Sequence, residues 1–143
     1  MKKVSRATAV EVWAGLSRVH SSMSAALERD MLPRAGIPLG WYEVLSLLDR
    51  APGAMLRLQD LAREAGLTES GASRRIDQMI KARLIDRHSC PTDRRGVYAH
   101  MTEAGRLAYE KAHAVFIRSV TRNLNSQLDA DAVDAVHSAL GRQ

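Results

Sequence analysis

Near the start of the chain the apolar positions fall three and four apart: Val12, Leu16, Val19, Met23, Leu27 and Met31. That spacing puts one apolar stripe on a long helix. The segment TAVE, Thr8 to Glu11, has the form of a capping box at its start. The stretch LPRAGIPLG, with two prolines and two glycines, is expected to end it. A second helix is predicted from Leu39 to Arg50, with Trp41, Val44, Leu45 and Leu48 on one face, stopped by Ala51-Pro52-Gly53. Leu58, Leu61, Ala62 and Ala65 then trace a short helix that Gly66 breaks. Thr68 is placed to cap another helix, Glu69 to Ala82, with Ala72, Ile76, Met79 and Ile80 as its buried stripe.

After this the period changes from helical to alternating. Val97, Ala99 and Met101 stand against Tyr98 and His100, as in a half-buried strand, and a first strand is predicted from Leu84 to Ser89. Between the two strands, Pro91 to Gly96 read as a turn that carries Arg94 and Arg95. Thr102 is expected to cap a long helix reaching about Leu124, with Leu107, Val115, Phe116, Val120 and Leu124 among its apolar positions. A last helix opens at LDADAV, where Asp129 is the cap and Leu128 and Val133 are spaced as a hydrophobic staple.

Two short helices joined at a glycine, followed by a hairpin with a basic tip, are the order of a winged helix-turn-helix. The expected fold is therefore mainly α: a winged helix-turn-helix core with a small wing of two or three strands, flanked by long terminal helices. At 143 residues the chain suits a single domain. A composition of 45% hydrophobic and 26% charged residues fits a globular protein, and only 4% aromatics implies an aliphatic core.

Charge sharpens this picture. The formal net charge is +5. From Ser70 to His100 there are seven basic residues (Arg74, Arg75, Lys81, Arg83, Arg87, Arg94, Arg95) against three acidic ones (Asp77, Asp86, Asp93), so +4 lies in that segment. A local basic stripe on a helix-turn-helix and hairpin points to a polyanion partner. The second helix of the motif can enter a major groove, and a guanidinium on the hairpin tip suits the narrow, electronegative minor groove. Asp93 can brace one arginine fork. The candidate DNA-contacting residues are Thr68, Ser70, Ser73, Arg74, Arg75, Asp93, Arg94 and Arg95, with Asp77 also outward.

The segments LQDLAREAGLTESGASRRIDQMIKARLIDR and PTDRRGVYAHMTEAGR resemble the MarR family of bacterial winged-helix transcription regulators. Asp93, Arg95, Met101, Thr102 and Gly105 match that family's wing pattern. The resemblance spans the whole length. It implies a homodimer built from helices in 5–38 and 103–143, a DNA-binding part in 39–102, and a palindromic operator on double-stranded DNA. It further implies repression released by a small effector, for which an aromatic compound is the candidate. Arg95 would be the minor-groove arginine, with Arg94 beside it. An effector pocket should lie where the dimerisation helices meet the DNA-binding part, and Trp13, His20, Met23, Trp41 and Tyr42 are in the right helices. The chain departs from the family at Arg83, where a glycine is usual before the wing. It also departs at Cys90, in place of an acidic residue, and at IPLG, which lacks the usual Thr or Ser cap.

Other chemistry is thinner. Cys90 stands alone, so no internal disulfide is possible; near two arginines it also admits a redox-responsive role. Asp86, His88 and Cys90 alternate on one strand face, and His100 would lie opposite His88 if the hairpin were symmetric about Arg94. Outward polar residues on a wing are the ordinary expectation, so no metal or cofactor is assigned. There is no Gly-rich phosphate loop, no His-Glu-x-x-His and no nucleophile elbow, which argues against an enzyme. A winged helix acting as a non-specific architectural or protein-interaction module is the remaining alternative. No run approaches the roughly 18 apolar residues of a membrane span, and Glu11 interrupts the stretch after the N-terminal lysines, so a cytoplasmic protein is expected.

Overall fold

The computed structural model describes residues 3–89, 92 and 96–141. Six helices and a three-stranded sheet follow in the order α1 (Arg6–Ala35), α2 (Leu39–Arg50), β1 (Met55–Arg57), α3 (Leu58–Glu64), α4 (Glu69–Lys81), β2 (Ile85–Ser89), β3 (Val97–Met101), α5 (Glu103–Gln127) and α6 (Ala130–Leu140). A 3-10 turn at Pro52–Ala54 joins α2 to β1.

α1 begins one turn earlier than the capping-box pattern suggests. Ser5 is its N-cap, accepting from the Thr8 amide at 3.1 Å and meeting the Thr8 hydroxyl at 2.8 Å. Ser5 and Thr8 are three residues apart and both can cap, and capping at the earlier one adds a further turn of backbone bonds. Nor does Pro33 end the helix, which runs through it to Ala35. The lost amide falls in the last turn, where buried Met31 and Ala35 hold the segment against the core. The helix stops at Gly36, whose amide returns to the Leu32 carbonyl at 3.1 Å.

α2 spans the predicted residues and buries Leu39, Tyr42, Val44, Leu45 and Leu48. These pack with Met31, Leu61, Ile76, Met79, Ile85, Ala99, Met101, Ala112 and Val115 in one core. That core sits where α1, α2 and α5 meet the helix-turn-helix, so the DNA-facing elements share it with the long helices. α1 and α5 also meet through a polar link: buried Ser119 donates to Asp30 Oδ2 at 2.6 Å, and Arg122 pairs with the same oxygen. The serine, with Arg122 and Arg34, holds the Asp30 carboxyl below its ordinary range despite partial burial.

The sheet order is β1-β3-β2, with both pairings antiparallel. β1 had no sequence signal; it is three residues long and completes the wing sheet at its edge. β2 and β3 pair with Asp86 opposite His100 and His88 opposite Tyr98. The hairpin is therefore not symmetric about Arg94, and His100 does not face His88 directly.

Candidate nucleic-acid interface

The helix-turn-helix closes through its backbone. Ala65 N–H reaches the Leu61 carbonyl at 2.9 Å, and Leu67 N–H reaches that of Ala62 at 2.9 Å. Gly66 between them has φ +64°, which a side chain would strain. Thr68 then caps α4, its hydroxyl accepting from Gly71 N–H at 3.1 Å and lying 3.3 Å from Ser70 Oγ. Ala72, Ile76 and Met79 are buried. This 3.6-residue stripe turns the opposite edge of α4 outward, so that Thr68, Ser70, Arg74, Asp77 and Gln78 are exposed. Ser73 is half-buried and lines a small cleft with Leu58, Gln59 and Ala62 of α3.

The arginines of the basic segment divide by partner. Arg75 turns back to α2, donating from Nη1 to the Gly40 carbonyl at 3.3 Å, with the Glu43 carboxylate 3.9 Å away. Gly40 leaves it that room, since a Cβ there would stand 2.8 Å from Arg75 Cζ. Burial pushes the Glu43 carboxyl up, and the Arg75 charge offsets part of that rise. Arg87 of β2 is held by Asp77 of α4 at 2.6 Å, tying the wing strand to the helix. Arg74, Lys81 and Arg83 are exposed and make no ion pair among the described residues. The predicted contacts Asp93, Arg94 and Arg95 lie outside the described residues, as does Cys90.

The junction between helix and wing answers the question raised by Arg83. This residue takes φ +61° and supplies the left-handed turn itself, without a glycine. Its amide returns to the Ile80 carbonyl at 2.9 Å. The far side of the junction is clamped by Thr102, whose hydroxyl donates toward the Arg83 and Leu84 carbonyls at 2.7 and 3.0 Å. The same hydroxyl accepts from Gly105 N–H at 3.0 Å, capping α5.

Of the five candidate effector residues, Tyr42 alone lines the cavity between α2, α3 and α5. This space of about 300 Å³ is bordered by Tyr42, Glu43, Ser46, Leu47, Arg50, Glu64, Ala65 and Phe116. Trp41 is half-buried against the core, while Trp13 and His20 are exposed on α1 and Met23 is half-buried there. The five were grouped by helix, and of them this cavity gathers Tyr42. Sequence reasoning missed Tyr109, His113 and Phe116, which are spaced four and three apart on α5 and so share a face. Phe116 stacks on Tyr42 with ring centroids 4.4 Å apart, and Tyr109 does so at 5.7 Å. His113 Nδ1 lies 2.9 Å from the Tyr42 hydroxyl. Burial, reinforced by Tyr109, pushes the Tyr42 phenol up to about 12, so at neutral pH the site offers neutral phenols and rings.

A second, larger cleft of about 1040 Å³ runs between the N-terminal half of α1 and the end of α5 with α6. Val12, Leu16, Val19, Leu124, Leu128 and Val136 line it. No residue of α6 is buried, and Val136 and Leu140 remain 38% and 63% exposed. Among the described residues no helix is long and apolar enough to cross a membrane.

A helix-turn-helix with an exposed polar edge on its second helix, joined directly to a three-stranded wing, defines a winged-helix protein. A family model described as "MarR family" matches residues 35–96. The HTH-type transcriptional regulator TcaR of Staphylococcus aureus is 24% identical over 122 residues, covering 84% of this chain and 78% of that protein. AbsC, a MarR family regulator from Streptomyces coelicolor, superposes with a TM-score of 0.81 at 28% identity, over 98% of this chain and 93% of that one. Sco3205 from the same organism, a MarR family regulator solved with DNA, gives 0.81 at 22% identity, over 98% and 87%. Over residues 35–96 the chain matches the MarR family of winged-helix transcription regulators, which are DNA-binding proteins and not enzymes, and over nearly its whole length it shares the fold of solved members.

Proposed function

We propose that this regulator is a cytoplasmic homodimer that binds a palindromic operator as a repressor, and that a small aromatic effector releases it. The observation that carries the reading is the exposed polar edge of α4, Thr68, Ser70 and Arg74, set beside the wing by the Arg87–Asp77 pair. α4 lies in the major groove, where Ser70, Ser73 and Arg74 read base edges and Thr68 meets phosphate. Arg95 enters the flanking minor groove, Arg94 holds the backbone, and Asp93 braces the pair. Arg75 serves as a strut from α4 to α2, since its guanidinium is already committed to Gly40 and Glu43.

The homodimer is supported by the apolar cleft and by α6, which finds no burial within its own chain. Residues 5–38 and 103–143 form the dimer, and 39–102 the DNA-binding part. Two-fold symmetry sets the half-sites about one helical turn, roughly 34 Å, apart. The effector site is the cavity at Tyr42, whose stacked rings suit a flat molecule and whose Arg50 suits an anionic substituent.

Selection of duplexes from a random pool, at about physiological salt, tests this reading. The expected product is a palindrome whose binding falls steeply in Arg95→Ala, less in Arg94→Ala, and loses base preference in Arg74→Ala. Recovery of no preferred sequence would replace the proposal with an architectural role.

A further inference from the structure

The outer face of the wing sheet holds a cluster that DNA recognition leaves unused. Asp86 on β2 lies directly opposite His100 on β3, and His88 follows two residues along on the same face. A single carboxylate oxygen, Asp86 Oδ1, lies 2.9 Å from His88 Nε2 and 3.1 Å from His100 Nδ1. The two imidazoles meet edge to face with centroids 4.9 Å apart. All three donor atoms fall within 4.8 Å of one another.

Two imidazoles and a carboxylate are a donor set for borderline transition-metal ions. With metal–ligand bonds of about 2.0–2.1 Å, neighbouring ligand atoms in such a site stand about 3–3.4 Å apart. The two distances to Asp86 are already near that span, and rotation of the rings closes the third. This motion meets little resistance, because the side chains of His88, Asp86 and His100 are 50%, 51% and 35% exposed. Hydrogen bonding alone gives a weaker reason for the convergence, since exposed charged contacts stabilise little. Arg57, which shares this face from β1, does not compete for Asp86. It is drawn onto Tyr98, with Nε 2.9 Å from the hydroxyl and Cζ 5.4 Å from the ring centroid.

We propose that Asp86, His88 and His100 bind one divalent transition-metal ion of the zinc type, with water in the remaining positions. The ion joins β2 to β3 at the root of the wing. The site is independent of the operator and effector readings.

The test is calorimetric titration of zinc sulfate, and separately nickel sulfate, into the chelator-treated full chain. The expected result is one ion per chain with a micromolar or tighter dissociation constant. His88→Ala and His100→Ala should each weaken binding at least about tenfold, while Cys90→Ser and His137→Ala leave it unchanged. In the unsubstituted chain, the imidazole NMR signals of His88 and His100 should shift together with added zinc, a readout free of any folding effect. Absence of stoichiometric binding, retention of affinity in both histidine variants, or loss of binding in Cys90→Ser would each overturn the assignment.

Discussion

Replacing Gly105 by alanine should damage this fold more than any surface change in the wing, and the reason is a close approach of backbone to backbone. Gly105 is buried in the first turn of α5. A Cβ built on it would stand 2.0 Å from the Leu84 carbonyl oxygen and 3.0 Å from both the Leu84 carbonyl carbon and Met101 Cγ. Real Cβ contacts do not fall below 3.0 Å, so α5 and the Leu84 backbone would have to separate by about an ångström. That same junction carries the Thr102 amide to the Leu84 carbonyl at 3.1 Å, along with the Thr102 hydroxyl bonds. Overpacking of a rigid contact costs about 1–3 kcal/mol, and weakening two of these hydrogen bonds adds about 1–2 kcal/mol. The better helix propensity of alanine returns about 1 kcal/mol. The net loss is about 1–4 kcal/mol, or roughly 3–15 °C in Tm for a domain of this size. Urea denaturation at fixed protein concentration, followed by circular dichroism, measures it. A midpoint within about 0.5 kcal/mol of the parent would mean that the junction yields freely and that the clamp argument is wrong.

Three further outcomes follow from the same structure. Arg83→Gly should stabilise the protein by about 0.5–1 kcal/mol, because φ +61° strains a side chain but not glycine; a lower urea midpoint in the variant would refute this. Tyr42 is neutral in the folded state up to about pH 12, against 10.0 for an ordinary phenol. A raised pKa gives stability that is complete below the ordinary value and is lost as pH rises from about 10 toward 12. Alkaline unfolding should steepen across that window, and Tyr42→Phe should flatten it; an unchanged profile in the variant would place the titration elsewhere. For Asp30 the direction is opposite, since Ser119 and Arg122 lower its pKa below 3.8. Its stabilisation is present above that value and is lost as pH falls through the folded pKa. Asp30→Asn should therefore unfold at lower urea than the parent near neutral pH and approach it in strong acid, and a constant gap would contradict the linkage.

The helix-turn-helix was legible because its signals are local. Thr68 and Thr102 cap their helices as their hydroxyls predict, and α2 keeps the limits its apolar period drew. At α1 the same rules misled by one turn, because Ser5 and Thr8 are both competent caps. Arg75 is grouped with the DNA contacts by its neighbours in sequence, yet its guanidinium donates to the Gly40 carbonyl, 35 residues away. The candidate effector residues were likewise grouped by helix, and of them Tyr42 borders the cavity. Helix membership was visible in the chain, but the face that α5 turns toward Tyr42 was not.

By itself, then, the sequence determined the helices, the two longer strands, their order and the resemblance to a family, because periods, caps and breakers act within a few residues of one another. Only the tertiary structure decided what pairs across the chain. It set β1 against β3, placed Asp86 opposite His100, joined Ser119 to Asp30 across 89 residues, and pressed Gly105 onto Leu84. Those choices depend on how distant segments pack into one shared core, which signals acting within a few residues do not specify.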